Sequence, residues 1–219
     1  GFLIAYKSVK VKKVTDQVIQ VLLNLSNTYK NDIQKKSDIL MRLAEQYVDH
    51  AKYYGNISIT ARIEGDAKKA DQYKKDSDLY KKKALDSYLW IYQSNKKFKT
   101  MDKVLFMIAA TYDETGQQDK SVSYLNEMIK TYPKSEMLSD AYSNLGEYYF
   151  NQKRDFNFSA SYYALASQDA STKLLGYVKY KLAWSYYNLG KYDKSIKSFT
   201  EVIRMGELEG ANQSLINMK

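Results

Sequence analysis

His50 is the only histidine in the chain, and it follows Asp49 directly. A His–carboxylate neighbour pair is the minimum for general acid–base work, but here nothing accompanies it. There is no cysteine, so thiolate nucleophiles, zinc–thiolate sites and disulfides are all excluded. No glycine-rich phosphate loop, HExxH helix or EF-hand loop occurs. Carboxylates are plentiful, but two on one helix face are ordinarily solvated, and a glycosidase-type pair needs a cleft that spacing alone does not supply. His50 therefore reads as a surface or packing residue. The chain reads as no enzyme, with neither a metal nor a cofactor site. The other candidate chemistry is binding. Tyr177, Tyr180, Trp184 and Tyr187 are spaced by three, four and three, which places four aromatic rings on one helical face.

The elements that would carry such a face are helices. Among 219 residues there are 22 Tyr but only 1 Pro and 9 Gly. Breakers are that scarce in chains of long helices with short turns, and sheets need more turn residues. The chain is 44% hydrophobic and 27% charged, enough to bury a core. Net charge is +9, carried by 30 Lys and only four Arg (Arg42, Arg62, Arg154, Arg204). Nucleic-acid readers lean on arginine forks, so this lysine excess reads as solvated surface and nucleic acid is not expected as a partner. Along 66–83, Lys68, Lys69, Lys74, Lys75, Lys81, Lys82 and Lys83 alternate with Asp66, Asp71, Asp76 and Asp78. That mixed face allows at most a weak contact with a membrane surface. No run approaches the roughly 20 apolar residues of a spanning helix. The absence of an initial Met fits a processed or trimmed piece of a longer chain.

The pattern is repeated. Ile108, Leu145 and Leu182 are 37 residues apart, as are Tyr112, Tyr149 and Tyr186. In the second half of each unit a serine (Ser121, Ser159, Ser195) precedes a large residue by four (Leu125, Tyr163, Phe199). Steps of three and four put these on one face of each of two helices, and the small residues permit close approach. Tyr112, Tyr149, Tyr186, Tyr163 and Phe199 are expected in the core. Gly116 and Gly190 are expected as C-terminal caps, and Pro133 follows the end of a second helix. The middle unit has one extra residue in its turn.

This spacing resembles the tetratricopeptide repeat. Tyr142-x2-Leu145-Gly146-x2-Tyr149 matches its first half and Ser195-x3-Phe199 its second. The period is 37 rather than 34, and serine replaces the small alanine. With "YPKSE" at 132–136, the chain is similar to bacterial cell-envelope members such as the BamD and YbgF-like proteins. The resemblance implies an all-α, right-handed superhelical solenoid of tetratricopeptide-like hairpins. The expected division is an N-terminal helix within 1–36, a degenerate unit with an elongated hairpin at 37–101, and repeats at 102–138, 139–175 and 176–206. Residues 207–219 are expected as a C-terminal tail or as the start of a further helix. That tail is a poor polar cap, as if the chain continued. Within the long hairpin, helices are expected near 38–63 and 66–93, with "GNIS" at 55–58 as an alternative interruption.

By the same resemblance, first helices line a concave groove. Its residues would be Asp38, Met41, Glu45, Val48 and Asp49 in the degenerate unit, and Lys103, Phe106, Ala110, Asp113 and Glu114 in the next. Asp140, Ser143, Glu147, Phe150 and Asn151 follow, then Tyr177, Tyr180, Trp184, Tyr187 and Asn188. Seven of these are acidic and one is Lys. An acidic, aromatic groove suits a protein or peptide with apolar anchors and basic flanks. The implied function is an interaction scaffold or adaptor in a bacterial envelope complex for outer-membrane assembly, division or motility. It would sit in the periplasm or at the outer membrane, with the cytoplasm left open. Three readings compete: the C-terminal helix or a following repeat covers the aromatic face; the array is a structural segment that self-associates; or the face binds a small ligand or glycan.

Overall fold

The computed structural model describes residues 16–168 and 171–217. All regular structure among them is helical. The chain divides into two compact units, Gly1–Ser121 and Val122–Lys219.

In the first unit, α1 covers residues 16–28, α2 runs Ile33–Ile63, α3 Ala67–Ser94 and α4 Met101–Glu114. The Asp32 and Asp66 carboxylates cap α2 and α3 by accepting the amides of Lys35 (2.9 Å) and Lys69 (3.0 Å). Helix α2 passes through Gly55–Ser58 without a break. A mid-helix glycine costs about 1 kcal/mol, and long packing against α3 outweighs it. Small residues let the two helices close on one another: Ser77 donates to the carbonyl of Ala51 (2.8 Å) and Ser58 to that of Ala70 (2.7 Å). Gly65, at φ 84°, turns the chain between them. Tyr88, Ile91, Leu43, Val104 and Ile108 form the centre of this unit and are almost fully buried.

Helix α5 spans Gln118–Thr131. The second unit continues with α6 (Leu138–Glu147), a π-helical turn π1 (Tyr148–Lys153), α7 (Phe156–Ala166), α8 (Thr172–Asn188) and α9 (Tyr192–Asn217). Residues 207–217 prolong α9 and do not begin a separate helix; 218–219 lie outside the described residues. Tyr163, Ala160 and Ala166 of α7 pack with Val178 and Leu182 of α8. Buried Ser159 and Ser185 share a hydrogen bond of 2.9 Å across that contact. Serine at the small-residue position is thus compatible with a dry interface, because its hydroxyl finds a partner there.

Gly116 and Gly190 have φ of 77° and 70°, the left-handed conformation expected of caps. The amides of Gln117 and Lys191 close the first-helix ends onto Tyr112 (2.8 Å) and Tyr186 (2.9 Å). In the middle hairpin the same bond runs from Asp155 to Tyr149 (2.9 Å), one residue later. The extra residue of that unit is absorbed by the wider π turn, and Arg154 takes the left-handed place at φ 51°. Of the repeated aromatics, Tyr112 and Tyr163 are buried, whereas Tyr149, Tyr186 and Phe199 are only half-buried. Tyr149 stacks between Phe158 (5.0 Å) and Tyr162 (5.4 Å), which itself lies 6.3 Å from Tyr142. Part of the tyrosine content therefore builds a ring column that is half in water.

Candidate functional site

His50 is buried, at 4% exposure, and its Nε2 lies 2.9 Å from Oδ1 of Asp16. Its ring meets Tyr80 at 4.8 Å and Tyr54 at 6.4 Å. The surface alternative for His50 does not hold. Its partner comes from α1 rather than from neighbouring Asp49, so it pins α1 to α2. Among the described residues no group of three His, Asp or Glu could hold a metal ion, and no helix is long and apolar enough to cross a membrane.

The α8 stripe stands on the surface of the second unit. Tyr177, Tyr180, Trp184 and Tyr187 are each between 37% and 51% exposed. They are braced from beneath and from the side. Phe199 of α9 meets Trp184 edge-on at 5.5 Å and Tyr180 at 5.9 Å. Trp184 also meets Tyr187 at 5.5 Å, and Tyr187 meets Tyr192 at 5.7 Å. Asn188 donates its side-chain amide to the carbonyl of Trp184 (2.8 Å). The rings thus hold one another in fixed edge-to-face geometry, which lowers the entropy lost when a ligand settles on them.

Glu147, Asn151, Phe150 and Tyr177 come together at one end of this stripe. Glu147 accepts hydrogen bonds from the hydroxyls of Tyr163 and Tyr177 (2.5 Å for Tyr177) and from the Asn151 amide (2.6 Å). The Lys181 ammonium stands 3.2 Å from the same carboxylate and 4.1 Å above the Phe150 ring. Burial pushes the Glu147 carboxyl up, but the two tyrosine hydroxyls and Lys181 outweigh it and hold it below the ordinary glutamate range. Burial and the adjacent carboxylate raise the Tyr163 and Tyr177 hydroxyls above the usual tyrosine value, so both stay protonated donors. Gly146 makes this possible: a Cβ there would sit 2.7–2.9 Å from the Tyr163 ring.

Of the other groove residues named from the sequence, Asp38, Met41, Glu45, Val48 and Asp49 lie on α2 and Lys103, Phe106, Ala110, Asp113 and Glu114 on α4, both in the first unit, while Asp140 and Ser143 lie on α6 in the second. Phe106 is half-buried, and Asp113 and Glu114 are exposed. Glu114 pairs with Lys81 of α3 (3.1 Å), Glu45 with Lys103 (2.8 Å) and Asp38 with Lys99 (3.5 Å). With Glu147–Lys181, four of the seven acids counted into the groove have a lysine beside them. The count along the sequence left out lysines that arrive from other helices. Such pairs add little stability at the surface, but they cancel local charge.

Sequence reasoning missed a cleft in the first unit. It holds ≈ 350 Å³ and is lined by Val48, Ala51, Gly55 and Ile59 of α2, Ser77, Lys81 and Ala84 of α3, and Met107, Ala110 and Glu114 of α4, among others. Val48, Ala110 and Glu114 had been assigned to the groove by position. On α2 the small residues Ala51 and Gly55, four apart, were the available signal; the lining from α3 and α4 had none.

Residues 103–135 and 177–205 match the family model "Tetratricopeptide repeat". No curated protein sequence matches significantly. The fold is similar to that of a solved structure described as "Crystal structure of MamA", with 14% identity over 92% of this chain and 94% of that one, at a TM-score of 0.64. It is also similar to "Crystal structure of BtubC (BKLC) from P. vanneervenii", with 13% identity over 90% of this chain and 92% of that one, at a TM-score of 0.53. At such identities the likeness speaks for the fold. The class is an all-α tetratricopeptide-type solenoid, and tetratricopeptide repeats are found at residues 103–135 and 177–205. Stacked repeats of this kind generally act by presenting binding surfaces, with chemistry left to others.

Proposed function

We propose that the protein is an interaction scaffold whose working surface is the aromatic face of α8. The observation that carries this reading is the exposure of Tyr177, Tyr180, Trp184 and Tyr187 on one face while Phe199 and Tyr192 brace them. An exposed contiguous aromatic face on a rigid helix is expensive to leave in water unless something binds it. Its partner is a protein segment with apolar anchors and basic flanks. The affinity for cations comes from the ring faces rather than from the acids, because Glu147 is already countered by Lys181. Phe150, Asn151 and Glu147 bound one end of the face and Asn188 the other. On the first unit, Phe106, Asp113 and Glu114 offer a separate secondary contact. The setting in a bacterial envelope complex, in the periplasm or at the outer membrane, rests on the family resemblance alone, and the cytoplasm stays open.

Capture from envelope extract and, in parallel, from cytosolic extract tests both parts. The bait is the chain itself, with Tyr180→Ala/Trp184→Ala/Tyr187→Ala as control once its helicity is shown to be unchanged. Buried aromatic anchors contribute about 2 kcal/mol or more each, so a partner held by this face is lost from the triple variant. Equal capture by both proteins refutes the α8 reading. Capture only from cytosolic extract refutes the envelope setting.

A further inference from the structure

Of the net charge of +9, four positive charges fall within residues 1–15, as Lys7, Lys10, Lys12 and Lys13, and no acid stands among them. The lysines of the long hairpin are of another kind. They alternate with aspartates, and the structure pairs Lys69 with Asp66 (2.8 Å) and Arg62 with Asp71 (2.6 Å). Residues 1–15 lie outside the described structure, but covalent reach bounds where their charge acts. A chain spans at most about 3.6 Å per residue, so Lys12 and Lys13 stay within about 15 Å of the start of α1 at Asp16.

Helix α1 presents a surface unlike the rest of the first unit. Its Ile19, Leu22 and Ser26 are buried there. Beside that row, Val18, Val21 and Leu25 are 40%, 56% and 38% exposed and form an i, i+3, i+7 stripe. The other exposed side chains, apart from Asp16, are Gln17, Gln20, Asn24, Asn27 and Thr28. None of them is charged, in a chain where 27% of residues are. Asp16, the one acid of α1, bonds to His50 (2.9 Å). A dry protein contact over this face would have to satisfy each of those amides. The face is also small for one. At 1.5 Å per residue α1 is about 20 Å long and about 10 Å wide, so it offers about 200 Å², against the roughly 800 Å² that each partner gives to a stable interface. The headgroup region of a bilayer has neither requirement. It is wet, so the amides keep their hydrogen bonds; its acyl boundary takes the apolar side chains; and its phosphates attract lysine. We infer that α1 and the lysines that precede it form a peripheral docking site for an anionic lipid surface. Val18, Val21 and Leu25 enter the interface, and Lys7, Lys10, Lys12 and Lys13 hold the headgroups. Both signals are needed, because a small apolar face or a short basic run alone gives only a marginal hold. The site lies in the first unit and uses nothing of the α8 face, so either can fail without the other.

Co-sedimentation of the full chain with vesicles tests this. The wild type should bind vesicles of phosphatidylcholine mixed with phosphatidylglycerol, and should not bind phosphatidylcholine alone. Each lysine near such a surface strengthens binding by about fivefold, so Lys7→Ser/Lys10→Ser/Lys12→Ser/Lys13→Ser should weaken it by about a hundredfold or more. Val18→Ser/Val21→Ser leaves the charge unchanged and should weaken it by about tenfold. Lys68→Ser/Lys69→Ser/Lys74→Ser/Lys75→Ser removes the same charge from α3 and should change it by less than about fivefold, since screening confines each charge to its own neighbourhood. The α1 and α3 positions are all exposed, so helicity should stay at the wild-type level in circular dichroism. The chain has no cysteine, so Val21→Cys carries a single environment-sensitive fluorophore. Its emission should shift to the blue on the mixed vesicles, and this labelled chain decides the case if a serine variant loses helicity. A wild type that ignores the mixed vesicles overturns the inference and leaves the α1 face to a protein. An α3 variant that loses as much binding as the amino-terminal one overturns it and marks diffuse charge attraction. A bound chain whose label does not shift, or a Val18→Ser/Val21→Ser variant that binds like the wild type, overturns it by taking α1 out of the interface.

Discussion

Substituting alanine at two helical glycines should move stability in opposite directions. In an open helix interior Gly→Ala stabilises by up to about 1 kcal/mol, because it removes backbone freedom from the unfolded chain. Beyond its chain neighbours and its own helix backbone, nothing stands within 4 Å of the place the Cβ of Gly176 in α8 would occupy, so Gly176→Ala should show that gain. At Gly146 of α6 the same Cβ would stand 2.7, 2.8 and 2.9 Å from three carbons of the Tyr163 ring. Ordinary carbon contacts are about 3.5–4.0 Å, so the ring must retreat by close to an ångström. It has nowhere to go: Tyr163 is 0% exposed, is packed among Ala160, Ala166 and Val178, and its hydroxyl is held by Glu147. Overpacking of this kind costs about 1–3 kcal/mol. Set against the propensity gain, Gly146→Ala should lose about 1–2 kcal/mol net. The assay is urea unfolding followed by Trp184 fluorescence in a Trp90→Phe background, so that the signal reports on the second unit. With a slope of about 1–3 kcal/mol per molar urea, the Gly146→Ala midpoint should fall by roughly 0.5–1 M while that of Gly176→Ala rises by a few tenths. A Gly146→Ala midpoint at or above the parent's would refute the claim that close approach of α6 to α7, rather than chain flexibility, is what Gly146 serves.

Glu147 ties stability to pH. Its folded pKa is depressed, so its contribution is full above the unfolded value of about 4.3 and is lost as pH falls through the lower folded value. Glu147→Gln should therefore cost about 1–2 kcal/mol at pH 7 and converge on the wild type as the solution is acidified toward pH 3; parallel stability curves across that range would contradict this. Tyr88 presents the reverse case, with a buried hydroxyl that has no hydrogen-bond partner. Burial, with Glu45 and Asp49 nearby, raises its pKa far above the ordinary value. Tyr88→Phe removes an unsatisfied donor and should raise stability by about 1 kcal/mol, read as a higher melting temperature; a drop would mean that the hydroxyl is satisfied in solution. Arg154 holds the left-handed cap that glycine holds at Gly190. Arg154→Gly should gain about 0.5 kcal/mol and Gly190→Ala lose about 1 kcal/mol, and equal effects of one sign in the two melting curves would rule out the cap argument.

What could be read along the chain was whatever a helix encodes in its own neighbours. The break between the two long helices near 63–66 followed from their apolar register, but the start of the first did not: α2 begins at Ile33, five residues before the expected 38, where the Asp32 carboxylate caps it. The left-handed glycines at 116 and 190 followed from the break in the three-four pattern. That Tyr177, Tyr180, Trp184 and Tyr187 share one face followed from their spacing, because a helix fixes the angle between its residues; that the face points away from the core was implied by the resemblance to the tetratricopeptide repeat. The extra residue of the middle unit was countable, but whether it became a bulged loop or a π turn depended on how α7 had to seat against α6. Likewise, nothing local said that residues 207–217 would prolong α9.

The sequence by itself determined the class of fold and the faces of each helix, since both rest on periodicities of three and four residues. Only the tertiary structure decided which charges and hydroxyls meet. Glu45 and Lys103 are separated by 58 residues, His50 and Asp16 by 34, and Tyr177 and Glu147 by 30. Their encounters depend on which helices become neighbours and at what height along each other's axes, and a rise of 1.5 Å per residue makes one position of slippage enough to part a carboxylate from its lysine. For that reason four of the seven acids counted along the chain have a lysine beside them in space, while the aromatic rings of α8 stand exposed.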